Sequence, residues 1–152
     1  MLMRPAFTAL LAIVAAGTLT APAAGADEPG SYVIESANGT ERVWHQAGED
    51  RAPTITADPG DDDGQRWVFR SNRTIRNVAT GLCATADGGR VIGAKCDRDD
   101  PGQRWRIRGA YNQKQLRNVE TGLCATYEGD GAQVSLHTCD WDRVEQRWYL
   151  NA

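Results

Sequence analysis

The chain has 152 residues, room for one domain, with 17 basic against 20 acidic side chains and a formal net charge of −3. Its arginines are spaced singly, so no basic face for phosphate is expected and nucleic acid is set aside as a partner. No apolar run after the N-terminal segment is long enough to cross a bilayer, so membrane insertion is not expected.

Residues 1–26 read as a secretory signal. A short positive start ending at Arg4 is followed by the mostly apolar run Ala6 to Ala16, too short to span a bilayer and lacking the polar face of a surface helix. Ala24-Gly25-Ala26 then offers a small-x-small cleavage pattern, and Asp27 and Glu28 open a charged region. Residues 27–152 are therefore expected to be secreted and extracellular. Four cysteines lie in this part: Cys83, Cys96, Cys124 and Cys139. An even number in an exported chain implies disulfides, and four cysteines allow three pairings that spacing alone does not separate. Zinc is a poor fit, because there is no C-x-x-C pair and the only histidines are His45 and His137.

The most informative feature is an internal repeat. Residues 76–85 read RNVATGLCAT and residues 117–126 read RNVETGLCAT, with one difference. A second cysteine follows each copy, at Cys96 and Cys139, and seven residues later comes Gln-Arg-Trp, at Gln103-Arg104-Trp105 and Gln146-Arg147-Trp148. A third Gln-Arg-Trp stands at Gln65-Arg66-Trp67. Three units result, roughly 31–70, 71–108 and 109–152. Equivalent cysteines imply equivalent bridges, Cys83 with Cys96 and Cys124 with Cys139, each worth about 3 kcal/mol for a loop of this size in the chain-entropy model. The alternating pattern in the second unit predicts strands over 74–78, 82–85, 90–94 and 103–107, separated by Thr80-Gly81, by Asp87-Gly88-Gly89 and by the polar loop 97–102. The first unit has no cysteine. Its strands are expected at Tyr32-Val33-Ile34, Arg42-Val43-Trp44-His45 and Thr54-Ile55-Thr56. Four short strands three times over, with no capped helical period, give an all-β body with pseudo-threefold symmetry.

Three Gln-x-Trp motifs in register with two cysteine pairs, together with the Asn77-to-Cys83 opening of a repeat, resemble the ricin-B-type lectin β-trefoil family over essentially all of residues 27–152. The alanine-rich N-terminal segment and the high Arg, Asp and Gly content suggest a small bacterial member of that family. It implies a β-trefoil of three four-stranded repeats and a lectin-like, carbohydrate-binding module. Trp67, Trp105 and Trp148 occupy the same place in each unit and are expected to meet on the threefold axis as core. Gln65, Gln103 and Gln146 are expected to support the backbone and, in sugar-binding repeats, the site. Trp44 is also read as core, since its neighbour Val43 must face the other way.

The family implies one candidate sugar site per repeat. An aromatic face and a carboxylate or amide that accepts from adjacent hydroxyls are the minimum chemistry. Galactose-binding members carry an Asp two residues after the first cysteine, where this chain has Thr85 and Thr126. The second repeat also has Ala94 and Gly102 at the other contact positions, and so reads as structural. The third is better stocked. Tyr127, Glu128 and Asp130 follow Cys124, His137 precedes Cys139, and Asp140-Trp141-Asp142 follow it. Tyr127, Asp130, His137, Asp140, Trp141 and Gln146 are the candidate glycan contacts, with Trp141 foremost because it lies in a polar loop. The expected ligand is a glycan or polysaccharide, and the chain is expected to be a monomer.

The competing reading is a degenerate trefoil that acts as a protein-interaction or inhibitor module. Its longest candidate loops, 46–53 and 57–64, are strongly acidic, which counts against a protease cleft. Catalysis is not expected. There is no G-x-S-x-G or H-E-x-x-H motif, no cysteine is left free once the bridges form, and His45 and His137 lie far apart. No cofactor or metal is implied. Asp61-Asp62-Asp63-Gly64 lacks the alternating ligands of a calcium loop and reads as a solvated turn.

Overall fold

The computed structural model describes residues 30–152. The segment read as a secretory signal, 1–26, lies outside the described residues. Twelve strands run in chain order: β1 Ser31–Ser36, β2 Val43–His45, β3 Ile55–Ala57, β4 Trp67–Phe69, β5 Ile75–Asn77, β6 Cys83–Asp87, β7 Arg90–Ala94, β8 Trp105–Arg108, β9 Gln113–Asn118, β10 Cys124–Thr126, β11 Ser135–His137 and β12 Trp148–Asn151. The four strands of each repeat follow one another, as the sequence repeat predicts. The expected fourth strand starts late, because Gln103 belongs to a one-turn 3-10 helix. Such turns stand before each motif Trp, at Asp63–Gln65, Pro101–Gln103 and Val144–Gln146. Three residues give no helical period to read in a sequence. The first two turns are capped by Asp62 and Asp100, whose carboxylates accept from the Gly64 and Gly102 amides.

Antiparallel pairing joins β4 to β5 and to β1, β1 to β12, β12 to β9, and β9 to β8, which makes a barrel wall. The hairpins β2–β3, β6–β7 and β10–β11 close one end. There the backbone forms a cycle: Thr54 donates to Val91, Val91 to Val134 and Val134 back to Thr54, at 3.0, 2.9 and 2.9 Å. All three residues are fully buried, so this cycle marks the threefold axis. A second cycle links the repeats, with Ala37, Val78 and Val119 donating to the carbonyls of Arg147, Arg66 and Arg104. This is a β-trefoil.

The core centres on tryptophan. Trp67, Trp105 and Trp148 converge as expected, and Trp44 is the residue at which they meet. It makes edge-to-face contacts with all three, at centroid distances of 5.8, 6.4 and 5.6 Å. The counterparts of Trp44 in the other repeats are Ala84 and Ala125, because the three motif indoles donate Nε1–H to the carbonyls of Trp44, Ala84 and Ala125. One large and two small side chains fill the axis, as close packing of three converging repeats requires. Val43 is buried too, although alternation places it on the opposite face, and it stands where the other repeats have Cys83 and Cys124.

The structure contains the disulfides Cys83–Cys96 and Cys124–Cys139. Each ties β6 or β10 to the loop that leads to the next 3-10 turn. The repeated Asn77 and Asn118 are buried and locked. Their side-chain amides donate to the Gly64 and Gly102 carbonyls of the preceding repeat, and their oxygens accept from the Thr80 and Thr121 amides. The repeated Asn-x-x-Thr-Gly therefore makes a turn that also clamps neighbouring repeats together.

Candidate functional site

The motif glutamines are buried supports. Gln103 accepts from the Asp97 amide and donates to the Lys95 carbonyl, and Gln65 does the same with Gly60 and Asp58. Gln146 accepts from the Asp140 amide at 2.8 Å and donates to the Thr138 carbonyl and Thr126 hydroxyl. Fully enclosed, Gln146 does not face a ligand, which corrects its place among the candidate contacts. It positions the loop that carries Asp140 and Trp141.

Thr85 and Thr126, at the position of the family's sugar carboxylate, are buried, and their hydroxyls fold back onto the Cys83 and Cys124 carbonyls. In the first repeat the position holds His45, whose Nε2 lies 3.0 Å from Asp62. The Gly64 amide, then the His45 contact, hold the Asp62 carboxyl below its ordinary range against the opposing effect of burial. Asp62 thus caps a turn and pins a histidine.

The third repeat brings its candidates together in two groups. Hairpin β10–β11 pairs Thr126 with Ser135 and Cys124 with His137. Ser135 and His137, two apart, share one face, and Glu128 reaches over it. Its Oε1 accepts from the Ser135 hydroxyl and lies 2.7 Å from His137 Nε2. The Ser135 hydrogen bond lowers the Glu128 pKa, burial opposes it, and His137 adds to the lowering. Among the described residues no partner is seen for Glu128 Oε2. Glu128 was visible in the sequence only as one of several acids. The alternation of Ser135 and His137 is the signal that singles it out.

In the second group Tyr127 donates its hydroxyl to Asp130 Oδ1, and Asp130 Oδ2 lies 3.0 Å from an Arg42 Nη of the first repeat. Arg42 also pairs with Asp58. The Tyr127 bond pulls the Asp130 pKa down, and the same bond pushes the Tyr127 pKa up. Arg42 comes from another repeat, so no local pattern announces it.

Trp141 keeps separate company. It is 41% exposed. Its ring lies against Gly109, where a Cβ would come within 2.8 Å of it, and the Arg147 guanidinium carbon sits 5.8 Å from the ring centroid. Gly109 has φ of +119°, so the backbone there needs glycine both for conformation and for space. Asp140 is exposed and makes the turn below Trp141, accepting from the Asp142 amide at 2.9 Å.

One expectation is overturned. The arginines spaced singly in sequence are gathered by the fold, and Arg70, Arg73, Arg106 and Arg108 line one groove of about 420 Å³.

A trefoil with buried Gln-x-Trp supports and polar hairpin clusters defines a lectin-type scaffold. The model of the ricin-type β-trefoil lectin domain matches residues 32–148, and the chain belongs to that family. No curated protein sequence matches it. Among solved structures, the designed threefold-symmetric protein ThreeFoil superposes with a TM-score of 0.72 at 18% identity, covering 81% of this chain and 99% of that one. The C-terminal half of an earthworm R-type lectin, in complex with GalNAc, gives 0.66 at 16% identity over 81% and 98%. A Polyporus squamosus lectin bound to a human-type influenza-binding epitope gives 0.67 at 20% identity, over 80% of this chain and 48% of that one. At these identities the likeness is one of fold.

Proposed function

We propose that this protein is a secreted, non-catalytic carbohydrate-binding module, and that its sugar subsite lies on the third-repeat hairpin at Glu128, Ser135 and His137. The observation that carries the reading is the Glu128 carboxylate. One oxygen is fixed by a hydroxyl and an imidazole, and the other is left to accept from adjacent sugar hydroxyls. The half-exposed His137 ring supplies a flat face beside it. Tyr127 with Asp130 extends the polar surface of the same repeat, and Trp141 offers an aromatic platform to a longer glycan. Family membership and the glycan-bound lectins of the same fold support the ligand class. The two histidines sit with separate carboxylates, His45 with Asp62 and His137 with Glu128, and neither is joined to a nucleophile among the described residues.

The test is a glycan array, with pull-down on insoluble polysaccharides, using the protein with its disulfides intact and the variants Glu128→Gln and Trp141→Ala. Specific binding that Glu128→Gln abolishes supports the site. Binding undiminished in both variants moves it out of the third repeat, and no glycan bound at all removes the carbohydrate reading. One observation favours a protein-interaction module instead. Tyr111, at the tip of the β8–β9 hairpin, is 96% exposed, and such aromatics anchor protein contacts.

A further inference from the structure

The threefold pattern breaks in one place in the barrel wall. In the first repeat β1 pairs with β4, and in the third β9 pairs with β12, but β5 does not pair with β8. The cause is local. β1 and β9 have six residues each, whereas β5 has three, because residues 70–74 form a tight turn. In it Arg70 donates its amide to the Thr74 carbonyl and Arg73 donates to Arg70, both at 2.9 Å, with Arg73 at φ of +69°. Among the described residues only the backbone bond from the Trp105 amide to the Arg73 carbonyl crosses the seam. Beyond it β8 has no partner on that edge among the described residues. The opening is the groove of about 420 Å³, floored by Ile75 and Trp105 and flanked by Phe69 and Ile107.

We propose that this seam is a second binding site, distinct from the third-repeat hairpin, and that it takes an anionic glycan segment bearing carboxylate or sulfate groups. Arg70 and Arg73 stand on one rim, Arg106 and Arg108 on the other, and all four are exposed. None has a side-chain hydrogen bond or ion pair among the described residues. Arg106 even faces Arg117 directly across β8 and β9, a like-charge pairing that weakens a sheet unless an anion offsets it. Asp97 and Asp99 lie in the adjoining groove beyond Arg70, so the positive potential is strongest toward Arg73, Arg106 and Arg108. This is a concentrated positive site on a protein whose net charge is negative.

The geometry favours a glycan over other polyanions. An acidic peptide adding as a strand needs a free edge along β8, but the Trp105–Arg73 bond closes one end and leaves only three residues. Single-stranded nucleic acid needs exposed aromatic faces for stacking, and Trp105 is buried on the groove floor. A sugar ring lays its apolar face on Ile107, which is 45% exposed, and holds edge carboxylates or sulfates toward guanidinium groups on both rims.

The test is calorimetry on the intact protein with a heparin oligosaccharide, an oligogalacturonide, a neutral galactan oligomer, polyglutamate and a single-stranded oligonucleotide, at low and physiological salt. The variants are Arg106→Gln/Arg108→Gln and, on β7 outside the groove, Arg90→Gln, with melting temperatures confirming the fold. We expect binding of the sulfated or the carboxylated glycan, weakened by salt, lost about tenfold or more in the double variant, and kept in Arg90→Gln. The relative strength of the first two ligands tells sulfate from carboxylate. Failure of both to bind, undiminished binding by the double variant, or tighter binding of polyglutamate or oligonucleotide would overturn the proposal.

Discussion

Trp44→Phe and Trp148→Phe remove the same atoms from the same fully buried cluster, yet they should differ sharply in stability. The cavity left behind is similar in both, so its cost largely cancels in the comparison. The polar ends of the two indoles do not cancel. Trp148 donates Nε1–H to the Ala125 carbonyl at 3.1 Å, and removing the donor strands that acceptor in the core. The Nε1–H of Trp44 is buried with no partner among the described residues, so removing it relieves a desolvation cost. Each effect is worth about 1–3 kcal/mol and they act in opposite directions, which places Trp148→Phe about 2–6 kcal/mol below Trp44→Phe. At roughly 4 °C per kcal/mol for a domain of this size, the melting temperatures should differ by roughly 8–24 °C. Calorimetric melts at neutral pH read this directly. If Trp44→Phe melts at or below Trp148→Phe, the assignment of a partnerless indole at the axis is wrong.

Reduction of the two disulfides, which close loops of sequence separation 13 and 15, should remove about 3 kcal/mol each and lower the melting temperature markedly. Equal melts with and without reductant would refute that contribution. Glu128, Asp130 and Asp62 all have folded pKa values below their ordinary 4.5, 3.8 and 3.8. A depressed carboxylate adds stability that is fully present above its unfolded pKa and is lost as pH falls through its folded one. The melting temperature should therefore hold from neutrality down to the ordinary carboxylate range and drop below it, and a rise on acidification would contradict the assigned contacts. Gly93→Ala places a Cβ 2.6 Å from the buried Gln46 side chain and should cost about 1–3 kcal/mol by overpacking. Combining it with Gln46→Ala in a double-mutant cycle should show coupling between the two sites, and strict additivity of their melting shifts would argue against the contact.

What repeats in the chain was legible in its sequence. The three motif tryptophans, the strand quartets and the turn at Asn77 and Asn118 recur at fixed spacing, and recurrence survives without coordinates. Residues that act once were harder to place. Trp44 reads as core, but its position on the axis follows only from three repeats converging on it. Arg42 meets Tyr127 and Asp130 across a repeat boundary. The basic groove is hidden because two arginines from the turn at residues 70–74 and two from β8 meet at a seam that a perfect threefold pattern would have closed. Gln146 has the chemistry of a sugar contact, but it is enclosed, and its amide holds the loop that carries Trp141.

The first repeat shows why such asymmetry is tolerated. It has no bridge. The glutamine bonds place Pro59 where the second cysteine stands elsewhere, since Gln65 reaches Asp58 and Gly60 as Gln103 reaches Lys95 and Asp97. Its hold comes from its neighbours instead. Trp44 packs on the motif tryptophans of all three repeats. Gln46 takes the Thr54 hydroxyl and fills the space above Gly93 of the second repeat. Thr56 donates its hydroxyl to the Gly129 carbonyl of the third repeat and exchanges backbone bonds with Gly131 and Ala132. The second and third repeats are closed by their own covalent links, and the first is closed by contacts that the other two supply. A domain held this way unfolds as one unit, so loop chemistry in any repeat is free to diverge while the axis stays shared.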